Sequence, residues 1–453
     1  SCDTLRQMNP ETIVALSTPA GRGGIGIVRL SGSEAARIAA PLVKLRHELA
    51  AGQARFGQLV DEDGGTLDEV VVTLFAAPHS YTGEDVVEVA AHGSPVVLDA
   101  IVRRCLASGA RLARPGEFTE RAFLAGRMDL TQAEAVNDLI HAQTLHQAQL
   151  AAQQMEGALS RRIQPIKQAV VELIAELEAG IDFAEDDMDV MPATAIAQKL
   201  AVARTALAEL SAGYTYGRMV RDGITLAIVG RPNVGKSSLF NRLVEHERAI
   251  VTASPGTTRD TISHTVAIHG IPVELMDTAG LRETADEAEE LGVARSREAM
   301  ADAAIVLLVL DASAPPHSED AALRAKLADR PHLIVANKCD LANATAHNAA
   351  NELHASALTG AGIEDLRQAI LRLAGGGALH TESGLVTTLR QHEAIQSALD
   401  ATERAESAAT QQTPHEMLLL DAYTALRSLD ALTGATTADD VLSLIFSRFC
   451  IGK

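Results

Sequence analysis

Gly230, Gly235, Lys236 and Ser237 stand in the spacing G-x-x-x-x-G-K-S, a combination of residue types that handles phosphate. Turn glycines let backbone N–H groups close on a phosphate chain. The lysine ammonium reaches the β- and γ-phosphates, and the serine hydroxyl ligates Mg²⁺. A helix starting here aims its positive end at the same anion. Asn233, Val234, Gly235, Lys236, Ser237 and Ser238 are therefore candidate nucleotide-binding residues, with Lys236 also a candidate catalytic group.

Further segments complete the chemistry in chain order. Asp277-Thr278-Ala279-Gly280 follows the apolar run Val273–Met276; an aspartate there holds the Mg²⁺ shell and the glycine N–H meets the γ-phosphate. Asn337-Lys338-Cys339-Asp340 follows Leu333–Ala336. The Asp340 carboxylate can accept from both N1–H and the 2-amino group of guanine, a donor pair that adenine lacks. Ser356-Ala357-Leu358 fits a last base-contacting loop. Thr252-Ala253-Ser254-Pro255-Gly256-Thr257-Thr258 reads as a switch segment, with Thr258 a second Mg²⁺ ligand released when the γ-phosphate leaves. Together these residues specify GTP over ATP. One position departs from the common pattern: Leu281 stands where many GTPases place a water-orienting glutamine. Glu283, Asp286, Glu287, Glu289 and Glu290 follow it, and composition does not choose among them.

These groups need strands to end beside them and helices to start from them. Leu226–Val229 reads as a buried strand, and Leu239, Phe240 and Leu243 carry the following helix. The surrounding chain is expected to be multidomain. Residues 1–118 read as an α+β domain, 119–215 as the first part of a helical domain, 216–376 as an inserted α/β P-loop domain, and 377–453 as the helical return. The joints of the insert are expected at Gly213–Gly223 and Gly375–Gly377.

In the N-terminal part, strands are expected near 12–16, 26–30, 56–60, 69–75 and 86–91, with helices at 33–49 and 96–108. Gly21, Gly23 and Gly26 match G-x-G-x-x-G, but the segment continues as a strand and opens no helix, so a connection between strands is expected. Arg29, Glu88, Arg103 and Arg104 are charges in or near apolar stretches, which composition alone reads as solvated faces or ion pairs. Ile163, Ile166, Val170, Leu173 and Leu177 form one helical stripe, with Pro165 expected to start or kink that helix. The acidic group Asp182, Glu185, Asp186, Asp187 and Asp189 has no EF-hand glycine and reads as a solvated loop.

The 453 residues carry a formal charge of −20 and no tryptophan. That argues against a generally basic nucleic-acid surface and against stacking bases on an aromatic sheet. A local basic patch or a basic partner stays open, and DNA is not expected. Apolar runs such as 303–310 are shorter than the roughly 18 residues that span a bilayer, so no membrane association is expected. The four cysteines are scattered, and a reduced, cytoplasmic setting is expected.

GRPNVGKSS, PGTTRD, DTAGLRE, TIVALSTPAGRGGIGIVRLSG, SYTGED, RPGEFTERAFLAGRMDLTQAEAV and the terminal Phe449-Cys-Ile-Gly-Lys453 together resemble the MnmE (TrmE) family of tRNA-modification GTPases, from about Thr12 onward. The resemblance implies a homodimer formed through the N-terminal domain. That domain resembles folate-binding aminomethyltransferase domains and binds 5-formyltetrahydrofolate or a related one-carbon folate. By position the folate contacts are Arg29, Glu88, Arg127 and Lys453, with Glu84 close to Glu88 in sequence. It further implies a K⁺-stimulated GTPase with Asn233 as side-chain ligand and Thr252, Ser254 and Thr257 enclosing the ion. Glu289 would position water through a second water when two G domains meet. The family works with the FAD protein MnmG, as a heterotetramer, to install a (carboxymethyl)aminomethyl group at C5 of the wobble uridine of certain tRNAs. Cys450 is a functional candidate: a nucleophile, a metal ligand or a small buried side chain. A ribosome-assembly switch is the rival reading, but such GTPases usually append a basic RNA-binding module, and Thr387–Lys453 is helical and not basic.

Overall fold

The computed structural model describes residues 11–182, 191–245, 263–277, 303–341, 352–375, 384–436, 439–447 and 449–452. They divide into two compact units, residues 1–137 with 427–453, and residues 138–426.

In the first unit seven strands form one sheet in the order β3-β4-β5-β6-β2-β1-β7. They are β1 (Ile13–Leu16), β2 (Gly23–Ser31), β3 (Val43–Leu45), β4 (Ala54–Val60), β5 (Thr66–Phe75), β6 (Val86–Gly93) and β7 (Arg111–Leu112). Only the β1–β7 pair is parallel. Val28, Leu30, Val70, Val72, Val87 and Val89 face a core closed by α1 (Ala35–Ala39) and α2 (Pro95–Ala107), from which Ile38, Leu98, Ile101 and Cys105 project. Burying each such side chain contributes roughly 1.5–3 kcal/mol.

The glycine-rich stretch is steric. A Cβ on Gly26 would lie 2.3 Å from Leu98 Cδ1, and one on Gly93 would lie 2.6 Å from the Gly23 carbonyl. The glycines let β2, β6 and α2 close together, and the dinucleotide motif they mimic opens no helix. The connection ends earlier than expected, because Gly23 already begins β2. The segment 33–49 also departs from expectation. It holds the short α1, a 3₁₀ turn at Ala40–Leu42 and strand β3. Pro41 removes a helical donor, and Val43-Lys-Leu45 alternates as a strand must.

The unit also contains α3 (Glu117–Leu124) and α14 (Asp439–Phe446). Gly116, at φ 69°, lies so near α14 that a Cβ would stand 2.6 Å from the Phe446 carbonyl.

The second unit combines helices with a second sheet. In α6 (Ala158–Asp182), Leu173 and Leu177 pack with Ile196 and Leu200 of α7 (Ala193–Ala212) and with Ala405 and Ala409 of α12 (Leu389–Thr410). Val170 and Ile174 pack on Ala422 and Ala425 of α13 (His415–Thr433). The stripe predicted from Ile163 to Leu177 is fully buried. Pro165 lies inside α6 and does not start it.

The sheet runs β13-β12-β11-β8-β10-β9, with β8 (Ile224–Val229), β9 (Ser263–Ile268), β10 (Ile271–Asp277), β11 (Ile305–Asp311), β12 (His332–Asn337) and β13 (Glu352–His354). All pairs are parallel except the β9–β10 hairpin. Continuous apolar runs in β8 and β11 bury both of their faces, as a parallel sheet requires. The hairpin turns at His269 and Gly270, with φ of 49° and 81°. The Gly270 carbonyl accepts from Thr144 Oγ1 at 2.6 Å, just ahead of α5 (Leu145–Met155), and His269 Nε2 lies 2.9 Å from Glu364.

The chain enters the sheet through α8 (Tyr214–Asp222), so the stretch expected as a glycine joint is a helix between Gly213 and Gly223. A Cβ on Gly217 would lie 2.1 Å from the Val386 carbonyl, and one on Gly375 would lie 2.4 Å from Thr215 Cγ2.

Candidate functional site

The phosphate loop joins β8 to α9 (Lys236–Glu245). Gly230 has φ 151° and Gly235 φ 94°, conformations that favour glycine. Space demands it as well: a Cβ on Gly230 would lie 2.4 Å from the Val309 carbonyl, and one on Gly235 would lie 2.3 Å from Asn337 Nδ2. Asn233 is held at φ 62° without being glycine, and its side chain is exposed at the loop. Lys236 Nζ donates to the carbonyls of Gly230 at 2.9 Å and Arg231 at 2.8 Å, which keeps the ammonium at the loop. Ser237 and Ser238 are exposed on the first turn of α9, whereas Val234 is buried beneath it.

The base motif is wired to this loop. Asn337 is buried; its Nδ2 donates to the Val234 carbonyl at 2.9 Å, and its Oδ1 accepts from the Ala357 N–H at 3.0 Å. Lys338 Nζ donates to the Asn233 carbonyl at 2.8 Å and to Asp311 Oδ2 at 2.6 Å. Burial alone would raise the Asp311 carboxyl, but hydrogen bonds from Lys338 and Ser313 outweigh it and hold the group below its ordinary range. Asp340 is exposed. Ser356 is fully buried, and Leu358 is 78% exposed. Thus one interlocked frame holds Asn233 to Ser238, Asn337 to Asp340 and Ser356 to Leu358.

Other predicted residues fall elsewhere. Asp277 ends β10, with its side chain outside the described residues. Thr252, Ala253, Ser254, Pro255, Gly256, Thr257, Thr258, Thr278, Ala279, Gly280, Leu281 and the acidic set that includes Glu289 lie outside them altogether, as do Glu185 to Asp189. Sequence reading missed Asp311 and Arg242. Asp311 stands opposite Asn337 in register, and Arg242 donates to carbonyls of the Ser356–Leu358 loop. Neither belongs to a nucleotide motif.

A second group of candidates gathers in the first unit. Arg29 on β2 faces Glu88 on β6 directly in register, and Arg29 Nη2 lies 2.7 Å from Glu88 Oε1. The guanidinium also stands 5.8 Å from the Tyr81 ring centroid and 5.7 Å from that of Phe118, in cation–π range. Burial pushes the Tyr81 hydroxyl up, and Thr119 Oγ1 lies 2.9 Å from it. The ion-pair reading of Arg29 and Glu88 therefore holds. Arg103 likewise pairs with Asp99, 2.7 Å away, while Arg104 binds the Val60 carbonyl. Arg127 is exposed, its stem over Gly83.

Glu84 has a different part. It is buried, 2.9 Å from Arg121 and 2.6 Å from Ser31 Oγ. Arg121 continues to Glu117 at 3.1 Å, and Glu117 to Arg111 at 2.6 Å. Burial would raise the Glu117 carboxyl. Hydrogen bonds from Arg111, the Arg114 N–H and Arg121 prevail and lower it to about 2.

The C-terminal residues return to the same unit. The Gly116 N–H donates to the Cys450 carbonyl at 3.4 Å, and Ser17 Oγ to the Gly452 carbonyl at 3.3 Å. A Cβ on Gly452 would stand 2.3 Å from the Leu16 carbonyl. Cys450 is exposed, so the buried-filler reading of it fails. Lys453 lies outside the described residues. Among the described residues no group of three or more His, Cys, Asp or Glu could hold a metal, and no helix is long and apolar enough to cross a membrane.

A mostly parallel sheet, a glycine phosphate loop opening a helix and an Asn-Lys-x-Asp strand end wired to that loop define a P-loop GTPase, a GTP hydrolase. Two family models match the chain: the MnmE helical domain over residues 130–450 and the GTP-binding protein TrmE N-terminus over residues 12–127. The chain belongs to the MnmE (TrmE) family of tRNA modification GTPases. It is 56% identical to the tRNA modification GTPase MnmE of Koribacter versatilis (strain Ellin345), over 98% of this chain and 99% of that one. It is 42% identical to the protein of the same name from Aquifex aeolicus (strain VF5), over 98% of this chain and 100% of that one. Among solved structures, the G domain of the T. maritima FeoB iron transporter is 26% identical over 33% of this chain and 98% of that one, with a TM-score of 0.26.

Proposed function

We propose that this chain is a K⁺-stimulated GTPase acting on tRNA. With the FAD-dependent partner MnmG, it would install a (carboxymethyl)aminomethyl group at C5 of the wobble uridine, position 34, of certain tRNAs. In this reading residues 216–376 are the GTPase insert in a helical domain of 119–215 and 377–453. The protein works in the cytoplasm as a homodimer and assembles with MnmG as a heterotetramer.

The observation that carries the cation mechanism is Asn233. A non-glycine residue is held at φ 62° in the phosphate loop, its carbonyl fixed by Lys338 and its side chain exposed. That is how a loop would present an amide oxygen to a cation beside the phosphates. Ser237, exposed on the first turn of α9, is suited to the Mg²⁺ shell with Thr258, and Thr252, Ser254 and Thr257 would enclose K⁺. When bound, the two cations neutralise charge that develops on the phosphates. Lys236 exchanges its loop carbonyls for phosphate oxygens. Asp340 reads guanine, and Glu289 orients water where Leu281 cannot.

Arg29, Glu88, Arg127 and Lys453 would hold a one-carbon folate. The Arg29–Glu88 pair offers one donor fork and one acceptor on neighbouring strands. Gly452 approaches the Leu16 carbonyl at the end of β1. Exposed Cys450 fits a part in the same chemistry.

Steady-state GTP hydrolysis in matched KCl and NaCl tests the reading, with Asn233→Ala beside it. Strong stimulation by K⁺ that the variant loses is expected. Equal rates in both salts would remove the cation mechanism.

A further inference from the structure

We propose that Arg242 sets the base specificity of the nucleotide site from behind the base loop. The inference rests on the reading of Asp340 as the guanine acceptor. Arg242 sits on α9, six residues after Lys236. Its Nε donates to the Ala357 carbonyl at 2.8 Å, and its Nη2 donates to the Leu358 carbonyl at 2.5 Å. The next carbonyl back, of Ser356, accepts from the Gly360 N–H at 2.8 Å. The Ser356 Oγ accepts from the Thr359 N–H at 3.1 Å. Every carbonyl of the Ser356-Ala-Leu358 segment is therefore engaged within the protein.

The polarity of that loop matters for chemistry. Position 6 of guanine carries a carbonyl oxygen, which needs a donor. Position 6 of adenine carries an amine, which needs an acceptor. A loop whose carbonyls are held in this way has no uncommitted carbonyl to turn toward the base, while its Ser356 and Ala357 N–H groups donate to the Ala361 carbonyl at 2.9 Å and to Asn337 Oδ1 at 3.0 Å. Releasing those carbonyls would let one face position 6, where it repels the guanine oxygen and accepts from an amine. Asp340 reads N1–H and the 2-amino group, and Arg242 controls what meets position 6. Sites built on such donor–acceptor matching discriminate strongly, because a mismatch leaves polar groups unpaired. The same helix begins with Lys236 and Ser237, so α9 ties the phosphate end of the site to the base end. Arg242 is a positioning residue, acting through the loop.

The test uses the full chain and displacement of a fluorescent GDP analogue. Competitors are GDP, xanthosine diphosphate and 2,6-diaminopurine riboside diphosphate, which keeps the 2-amino group but has an amine at position 6 and no N1–H. The N1 difference is common to every variant compared, so the change in the ratio reads position 6. Arg242→Ala should lower the preference for GDP over the diaminopurine nucleotide by roughly tenfold or more. Arg242→Lys, with a single ammonium in place of the fork, should fall between. A uniform loss for both nucleotides, or an unchanged ratio, would overturn the proposal. Thermal melting of the nucleotide-free variants checks that they fold. Asp340→Asn, run in parallel, should shift preference toward xanthosine diphosphate, whose position 2 is a carbonyl. If that shift occurs while Arg242→Ala keeps the ratio, only the Arg242 inference fails. If the shift does not occur, the guanine-site reading itself fails, and the Arg242 proposal with it.

Discussion

The nucleotide site and the Arg29–Glu117 region build polar clusters by opposite means. Around the phosphate loop, side chains hold backbone: Asn337, Lys338 and Arg242 each donate to carbonyls of a neighbouring loop. In the first unit, side chains hold side chains: Ser31 donates to Glu84, and Glu84, Arg121, Glu117 and Arg111 form a mostly buried chain of charges. The first design leaves Asp340, Ser237 and Asn233 exposed to a ligand. The second satisfies charge internally and leaves Arg29, Glu88 and Tyr81 only half-buried beside it. A frame of backbone contacts depends on loop shape, and a buried ionic frame depends on charge state. The two regions should therefore fail under different insults.

Glu117→Gln should have the largest effect. It removes the charge that Arg111 and Arg121 face, and breaking one partner of a buried pair costs about 3–5 kcal/mol. Denaturant unfolding should show that loss in the first unit, while basal GTP hydrolysis stays near its original rate. An equal loss of hydrolysis would break the comparison.

Acid should act on the same region. The Glu117 carboxyl is lowered from 4.5 to about 2 in the fold. A lowered carboxylate stabilises fully above its unfolded value and loses that contribution as pH falls through the folded one. The window is therefore about pH 4.5 down to 2, and the shift corresponds to about 3 kcal/mol. Unfolding followed against pH should show this slope in the native protein, and Glu117→Gln should flatten it.

Gly235→Ala should injure only the other region. The strain at φ 94° is worth about 1–3 kcal/mol, and the new Cβ displaces Asn337. GDP affinity should fall roughly tenfold or more, read by nucleotide titration, with the acid profile of the first unit unchanged.

The same contrast decides what the sequence made legible. The phosphate loop and Asn-Lys-x-Asp segments are short, contiguous and each follow a strand, so local spacing reveals them. The stripe from Ile163 to Leu177 was legible because one period governs it. The Glu84–Arg121–Glu117 network was not, since its members come from separate segments and only β-register and α3 bring them together. Arg242 was invisible for the same reason: nothing in a helix marks which carbonyl its side chain will meet. The segment 33–49 misled because alanines read as helix, while Pro41 and the edge pairing of β3 decide its course. Cys450 looked like a candidate filler from its type alone, but the return of the C-terminus to β1 leaves it exposed.

The crowding of Gly217 against Val386 bears on how freely the enclosed segment can change length. The chain leaves the helical part and comes back to it at nearly one point. Closing a flexible loop costs only roughly 0.6 kcal/mol more for each doubling of its length. If residues 216–376 are the insert proposed above, enclosing about 160 residues where about ten would close the loop is four doublings, roughly 2.4 kcal/mol. Length added within that proposed insert would cost the crossing little, whereas excision would uncover Leu150, Tyr216, Met219, Val220 and Leu385, which share the core of the second sheet.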